Sequence, residues 1–185
     1  MPHLSLATLS SITSAAAPSY SRADLSPGIV HFGVGNFHRA HQAVYLDALF
    51  NAGEGHDWAI IGAGTRASDA AMRDALRQQD WLTTVVEQEA DSSSAHITGV
   101  MVDYLEPGDS QSVIAALTNP AIRIVSLTIT EGGYYIDPAS QKFDPTHPDI
   151  AWDAAHFDTP KTAFGLILAG LMKRRDAGIA PFTVM

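Results

Sequence analysis

The sequence predicts an α/β fold in which a mostly parallel sheet carries helices on both faces. Three observations lead to it. Short apolar runs rich in β-branched residues recur at 29–32, 58–61 and 123–130. The first two run straight into paired glycines, Gly33 with Gly35 and Gly62 with Gly64. Between the runs, apolar residues return at helical spacing, and parallel strands require such crossover connections.

In chain order, residues 1–27 are rich in Ser and Ala, with no basic segment and no continuous apolar run. They read as an arm over the domain surface, not as a signal peptide or membrane span. Residues 28–185 read as one domain. Its first strand, 29–32, enters a glycine turn, and the helix that follows places Ala40, Ala43, Leu46 and Phe50 on one face, with Gly53 at its C-terminal cap. A second strand at 58–61 leads to a helix with an apolar stripe of Ala71, Met72, Ala75 and Leu76. Strand candidates follow at 81–87 and 96–104, then a helix at 110–117 stopped by Asn119 and Pro120, then the strongest strand at 123–130. Residues 134–158 contain Pro138, Pro145 and Pro148 without periodicity, which predicts a long loop with at most one helical turn. Thr159 and Pro160 then open a helix as cap and first-turn proline, Phe164, Ile167, Leu168 and Leu171 form its apolar series, and Gly178 ends it. Lys173, Arg174 and Arg175 sit where they complement the helix dipole. Residues 181–185 begin a further strand, and the protein is expected to continue beyond it.

Composition narrows the function. A 185-residue chain that is 46% hydrophobic can bury a substantial core. Its net charge of -9, from 20 acidic and 11 basic residues, provides no basic track for nucleic acid. Without cysteine there is neither a disulfide framework nor a thiolate metal site, and the cytoplasm is the natural compartment.

In a parallel α/β sheet, ligands bind at the carboxyl ends of the strands. Here those ends are 33–39, 62–69 and 130–133. In Gly33-Val34-Gly35-Asn36-Phe37-His38, the glycines allow a tight turn and let backbone approach a pyrophosphate at the start of a helix, although His38 replaces the usual third glycine. The same residues also fit a purely structural turn. Arg39 either adds positive charge for the pyrophosphate or caps local carbonyls. Asp69 lies 34 positions after Gly35, farther than the customary spacing of about 20. It either accepts from the adenosine ribose, which favours NAD and leaves NADP a weaker coenzyme, or caps the helix after it. Arg66, whose guanidinium can pair with a phosphate, argues against strict NAD preference. Thr130 and Glu131 end the strongest strand near the expected nicotinamide or substrate, with Glu131 either functional or a solvated turn acid. His38 and His41 share helical spacing but have no third ligand, so packing and phosphate contact are expected of them and no metal site.

The run Ile29-Val30-His31-Phe32-Gly33-Val34-Gly35-Asn36-Phe37-His38-Arg39-Ala40-His41-Gln42 resembles the N-terminal signature of the long-chain mannitol dehydrogenase family. Residues 124–134 and 177–185 are similar to two later stretches of that family, and the likeness extends from about Gly28 onward. The resemblance implies a Rossmann-like domain that binds NAD, with Asp69 at the coenzyme-selecting position. It implies metal-independent hydride transfer between NAD and a secondary alcohol of a polyol, mannitol to fructose first among the candidates. It also implies a helical C-terminal domain carrying a lysine base with asparagine and histidine partners, so no catalytic residue is expected within these 185 positions. A non-catalytic nucleotide-sensing domain and a methyltransferase-like domain remain the alternatives.

Overall fold

The computed structural model describes residues 3–185. Its strands are β1 (Pro27–Phe32), β2 (Ala59–Ala63), β3 (Thr83–Gln88), β4 (Ser93–Thr98), β5 (Met101–Tyr104), β6 (Ile124–Leu127), β7 (Ile136–Asp137), β8 (Lys142–Phe143) and β9 (Thr183–Val184). Its helices are α1 (Asn36–Ala40), α2 (Gln42–Asn51), α3 (Ala70–Gln78), α4 (Ser110–Thr118), α5 (Pro148–Ala155) and α6 (Ala163–Asp176). Five strands form one sheet in the order β5-β2-β1-β6-β9, and every neighbouring pair is parallel. Among the described residues, no helix is long and apolar enough to cross a membrane.

Successive side chains on a strand point to opposite faces, and β1 uses both. Val30 and Phe32 pack with Val113 and Leu117 of α4 and Leu166 of α6, while Ile29 on the other face joins Ala43, Phe50 and Ile60. The central strand is therefore apolar throughout except for His31, which is fully buried. Arg174 is also buried, at 2% exposure. Instead of facing the helix dipole, it donates to the carbonyls of Leu117, Asn119 and Ala180 at 2.7–2.9 Å, tying α6 to the end of α4 and the approach to β9.

Tertiary packing changes several expected elements. The first helix is two, α1 and α2, broken at His41 (φ −125°, ψ −80°), and Ala40 lies on the exposed side of the break. In α3 only Leu76 of the expected stripe is buried. The strand expected at 96–104 divides at Gly99, so that β4 pairs antiparallel with β3 as a separate ribbon while β5 joins the parallel sheet. Within 134–158 lie the β7–β8 hairpin and the eight-residue α5, opened by His147 and Pro148, instead of a loop with one turn. Thr162, not Thr159, caps α6. Its hydroxyl accepts from Gly165 N–H at 3.0 Å and donates to the buried Asp153 carboxylate at 2.6 Å.

The segment before β1 is fastened at several points. Ala16 bridges to His96 of β4. The Tyr20 hydroxyl donates to Asp47 of α2 at 2.5 Å, and Gly99 N–H donates to both groups. Burial, reinforced by the Asp47 charge, pushes the Tyr20 phenol far up, so it remains a donor.

Candidate functional site

From β1 the chain crosses to β2 on one side, while β6, formed later, lies on the other. This reversal opens a crevice at the carboxyl ends of the strands. The cleft there has a volume of about 280 Å³. Gly33, Val34 and Gly35 form one wall, Arg66 and Asp69 a second, and Thr128 with Thr130 a third.

The two turn glycines are glycine for different reasons. Gly33 has φ +90°, and a Cβ on it would lie 2.5 Å from the Thr128 carbonyl oxygen, so the fold itself excludes a side chain. Gly35 has ordinary backbone angles, and a Cβ on it would meet only the Gly33 carbonyl oxygen, at 3.8 Å. Among the described residues, nothing demands glycine at position 35. Gly35 itself lines the cleft, as a ligand approaching the backbone would need.

Of the residues expected from sequence, Gly33, Val34, Gly35, Arg66, Asp69 and Thr130 line the cleft. Asn36, Phe37, His38, Arg39 and Glu131 do not. Arg39 donates to the Val34 carbonyl at 3.1 Å and to the Asn36 side-chain oxygen at 2.5 Å, which is the local capping arrangement. Phe37 is 66% exposed and stacks on His41. Glu131 starts an exposed helical turn just past the cleft wall. The Asp69 carboxylate makes no cap contact with α3 and instead accepts from the Arg66 backbone N–H at 3.0 Å, closing the tight turn between them. Its charge also bears on Tyr104, whose phenol is pushed up to about 12, first by burial and then by Asp69.

Beneath the glycine turn lies a buried polar chain that the sequence reading missed. The rings of His31 and His38 stack with centroids 3.6 Å apart. A carbonyl can only accept, so the 3.2 Å contact with the Gly33 oxygen fixes a proton on His31 Nε2. That N–H also reaches Thr128 Oγ1 at 2.9 Å, and the Thr128 hydroxyl donates to the Gly33 oxygen at 2.8 Å. His31 Nδ1 is left to accept from the Ser126 hydroxyl at 2.8 Å, and Ser126 accepts from the Gln42 amide at 3.3 Å. Gln42 Oε1 accepts from His38 Nδ1 at 3.0 Å, and His38 Nε2 is buried with no partner among the described residues. Burial, with the neighbouring ring second, lowers His31 to about 3. Burial lowers His38 to about 4, against the hydrogen bond it donates to Gln42. Both rings are neutral at pH 7. The one available signal in the sequence was a polar residue in the middle of an otherwise apolar strand. His38 and His41 have separate partners, since His41 Nδ1 donates to the Phe37 carbonyl at 2.8 Å.

The sheet order, the glycine turn at its reversal and the crevice beside it define a Rossmann domain. The chain belongs to the mannitol dehydrogenase family, whose Rossmann-domain model matches residues 27–185. It is 63% identical over 169 residues to a mannitol 2-dehydrogenase of Cereibacter sphaeroides, covering 91% of this chain and 35% of that protein. With the mannitol 2-dehydrogenase of Pyricularia oryzae it shares 47% identity over 171 residues, 91% of this chain and 34% of the relative. The chain thus spans about a third of the length of these relatives. In three dimensions it matches a Pseudomonas fluorescens mannitol 2-dehydrogenase, solved as a ternary complex with NAD and D-mannitol, at TM-score 0.93 and 47% identity. That match covers 98% of this chain and 38% of the other. A substrate-free D-sorbitol dehydrogenase matches at TM-score 0.92 and 38% identity, over 100% of this chain and 38% of that one.

Proposed function

We propose that this chain is the coenzyme-binding part of an oxidoreductase that moves a hydride between NAD and a secondary alcohol of a polyol, mannitol to fructose. The observation that carries the reading is the cradle over Gly35. Among the described residues only the Gly33 oxygen comes within 4 Å of where a Cβ would stand, Gly35 lines the cleft at the sheet position where this fold accepts a pyrophosphate, and the P. fluorescens relative was solved with NAD and D-mannitol.

The residues fit the group. Gly33, Val34 and Gly35 would present backbone to the pyrophosphate, with Asn36, Phe37, His38 and Arg39 supporting the turn from behind. Asp69 would accept from the adenosine ribose, with Arg66 beside it, so that NAD is preferred and NADP binds more weakly. Thr130 and Glu131 would flank the nicotinamide end. NAD supplies the hydride acceptor. The base that takes the alcohol proton, and the contacts that select the sugar, would come from the further portion that the relatives possess, and no metal is needed. The arm at 1–27 would act as a strap on the domain at 28–185.

Titration of the purified chain with NADH, followed by nicotinamide fluorescence, tests the reading. Saturable binding, displaced by NAD and not by S-adenosylmethionine, is expected. No saturable binding, or displacement by S-adenosylmethionine alone, would overturn it.

A further inference from the structure

We propose that His31 is a positioning residue for coenzyme binding: its Nε2–H, acting with the Thr128 hydroxyl, sets the orientation of the Gly33 peptide and so the shape of the turn that receives the coenzyme. This inference rests on the coenzyme-binding reading above.

The Gly33 carbonyl oxygen collects three donors, Gly35 N–H at 2.7 Å, the Thr128 hydroxyl at 2.8 Å and His31 Nε2 at 3.2 Å. Only the first is local to the turn. The other two come from the floor of β1 and from the end of β6, the strands that flank the crevice. A peptide unit is planar and trans, so a fixed carbonyl also fixes the next N–H, that of Val34, in the opposite direction. His31 and Thr128 therefore aim the backbone of a cleft-lining residue without lining the cleft through His31 itself. The donor role is enforced. His31 Nδ1 accepts from Ser126, the ring is packed against His38, and no rotation of the imidazole keeps all of these partners. A hydrophobic residue of similar volume would suit the apolar surroundings of β1, but it would leave the Gly33 oxygen, Thr128 and Ser126 short of a partner.

Two substitutions separate positioning from packing. A glutamine side chain carries its amide to about the reach of imidazole Nε2, and an asparagine only to that of Nδ1. His31→Gln therefore keeps a donor for Gly33 and Thr128, whereas His31→Asn keeps only the Ser126 contact. Both remove the same aromatic stack, so a purely structural role predicts equal effects. The measurement is the NADH Kd of wild-type chain and variants by nicotinamide fluorescence, with urea midpoints alongside. His31→Asn is expected to bind NADH at least about tenfold more weakly than His31→Gln. Thr128→Val, which deletes the hydroxyl at nearly constant volume, is the second probe and serves if His31→Asn does not fold. It should weaken NADH by a similar factor, and Thr128→Ser should restore it. Equal Kd values for the glutamine and asparagine variants, or a Thr128→Val chain that binds like wild type, would overturn the inference. Failure of the wild-type chain to bind NADH would instead overturn the reading on which it rests.

Discussion

The Gly33 carbonyl oxygen accepts the Thr128 hydroxyl at 2.8 Å, and the hydrogen that stands in place of a Gly33 side chain faces the Thr128 carbonyl oxygen, where a Cβ would come to 2.5 Å. The first turn of the fold is thus closed against the end of β6 so tightly that only glycine fits. Two positions along, at Gly35, the same turn is open.

The contrast predicts opposite phenotypes. Gly33→Ala puts a methyl group against backbone at φ +90° and should destabilise the chain by about 2 kcal/mol or more, read as a lower urea midpoint. Gly35→Val meets no protein atom closely at its Cβ and should leave the midpoint near wild type while weakening NADH at least about tenfold. A Gly35→Val chain with normal stability and normal NADH affinity would remove the turn from the coenzyme site.

Asp69 should decide between coenzymes by charge. A 2′-phosphate placed beside the carboxylate is repelled, which disfavours NADPH by about tenfold or 1.4 kcal/mol. Asp69→Ala should shift the ratio of NADPH to NADH affinity by that factor towards NADPH. It also removes the acceptor for Arg66 N–H, so a loss of about 1 kcal/mol in stability should accompany the shift. Stability loss with an unchanged ratio would confine Asp69 to closing its turn.

Acid should weaken the fold through the two stacked histidines. Their folded values, about 3 for His31 and about 4 for His38, lie below the ordinary 6.5. Between these limits the unfolded chain binds protons that the folded chain refuses. Stability is therefore fully retained above pH 6.5 and falls as pH drops, by up to about 1.4 kcal/mol per pH unit for each ring. Urea midpoints measured from pH 6.5 to 4.5 should decline, and His38→Gln should decline less steeply. Parallel slopes for the two proteins would show that His38 is not held neutral.

Arg174 should be a stabilising residue with no part in binding. Its guanidinium serves the buried Leu117 carbonyl and the part-buried carbonyls of Asn119 and Ala180, and Arg174→Met would remove all three of these bonds. A loss of about 3 kcal/mol in urea unfolding, with NADH affinity unchanged in the folded protein, is expected. Arg174→Lys should recover little, since one ammonium cannot reproduce the fork.

The fold class was legible because local signals agreed. β-Branched runs marked β1, β2 and β6, glycines marked the turns after the first two, and Gly178 stands where a helix ends. The cleft residues Gly33, Val34, Gly35, Arg66, Asp69 and Thr130 were legible for the same reason, as they follow directly from strand ends. Less legible were the features set by a neighbour distant in sequence. Residues 96–104 read as one strand, but they divide between two sheets at Gly99, whose N–H donates to the distant Tyr20 and Asp47. Thr159 had the better sequence context for a cap, but Asp153 fixes Thr162 in that role.

The amino-acid sequence by itself determined the alternation of strands and helices and the glycine turn, because strand period, helix period and positive φ are properties of a few adjacent residues. Tertiary structure alone decided that His31 meets Ser126 across 95 positions and that Arg174 turns inward to the Leu117 and Asn119 carbonyls. Each of these polar groups takes whatever partner packing brings within hydrogen-bond reach, and no local pattern encodes which segment that will be.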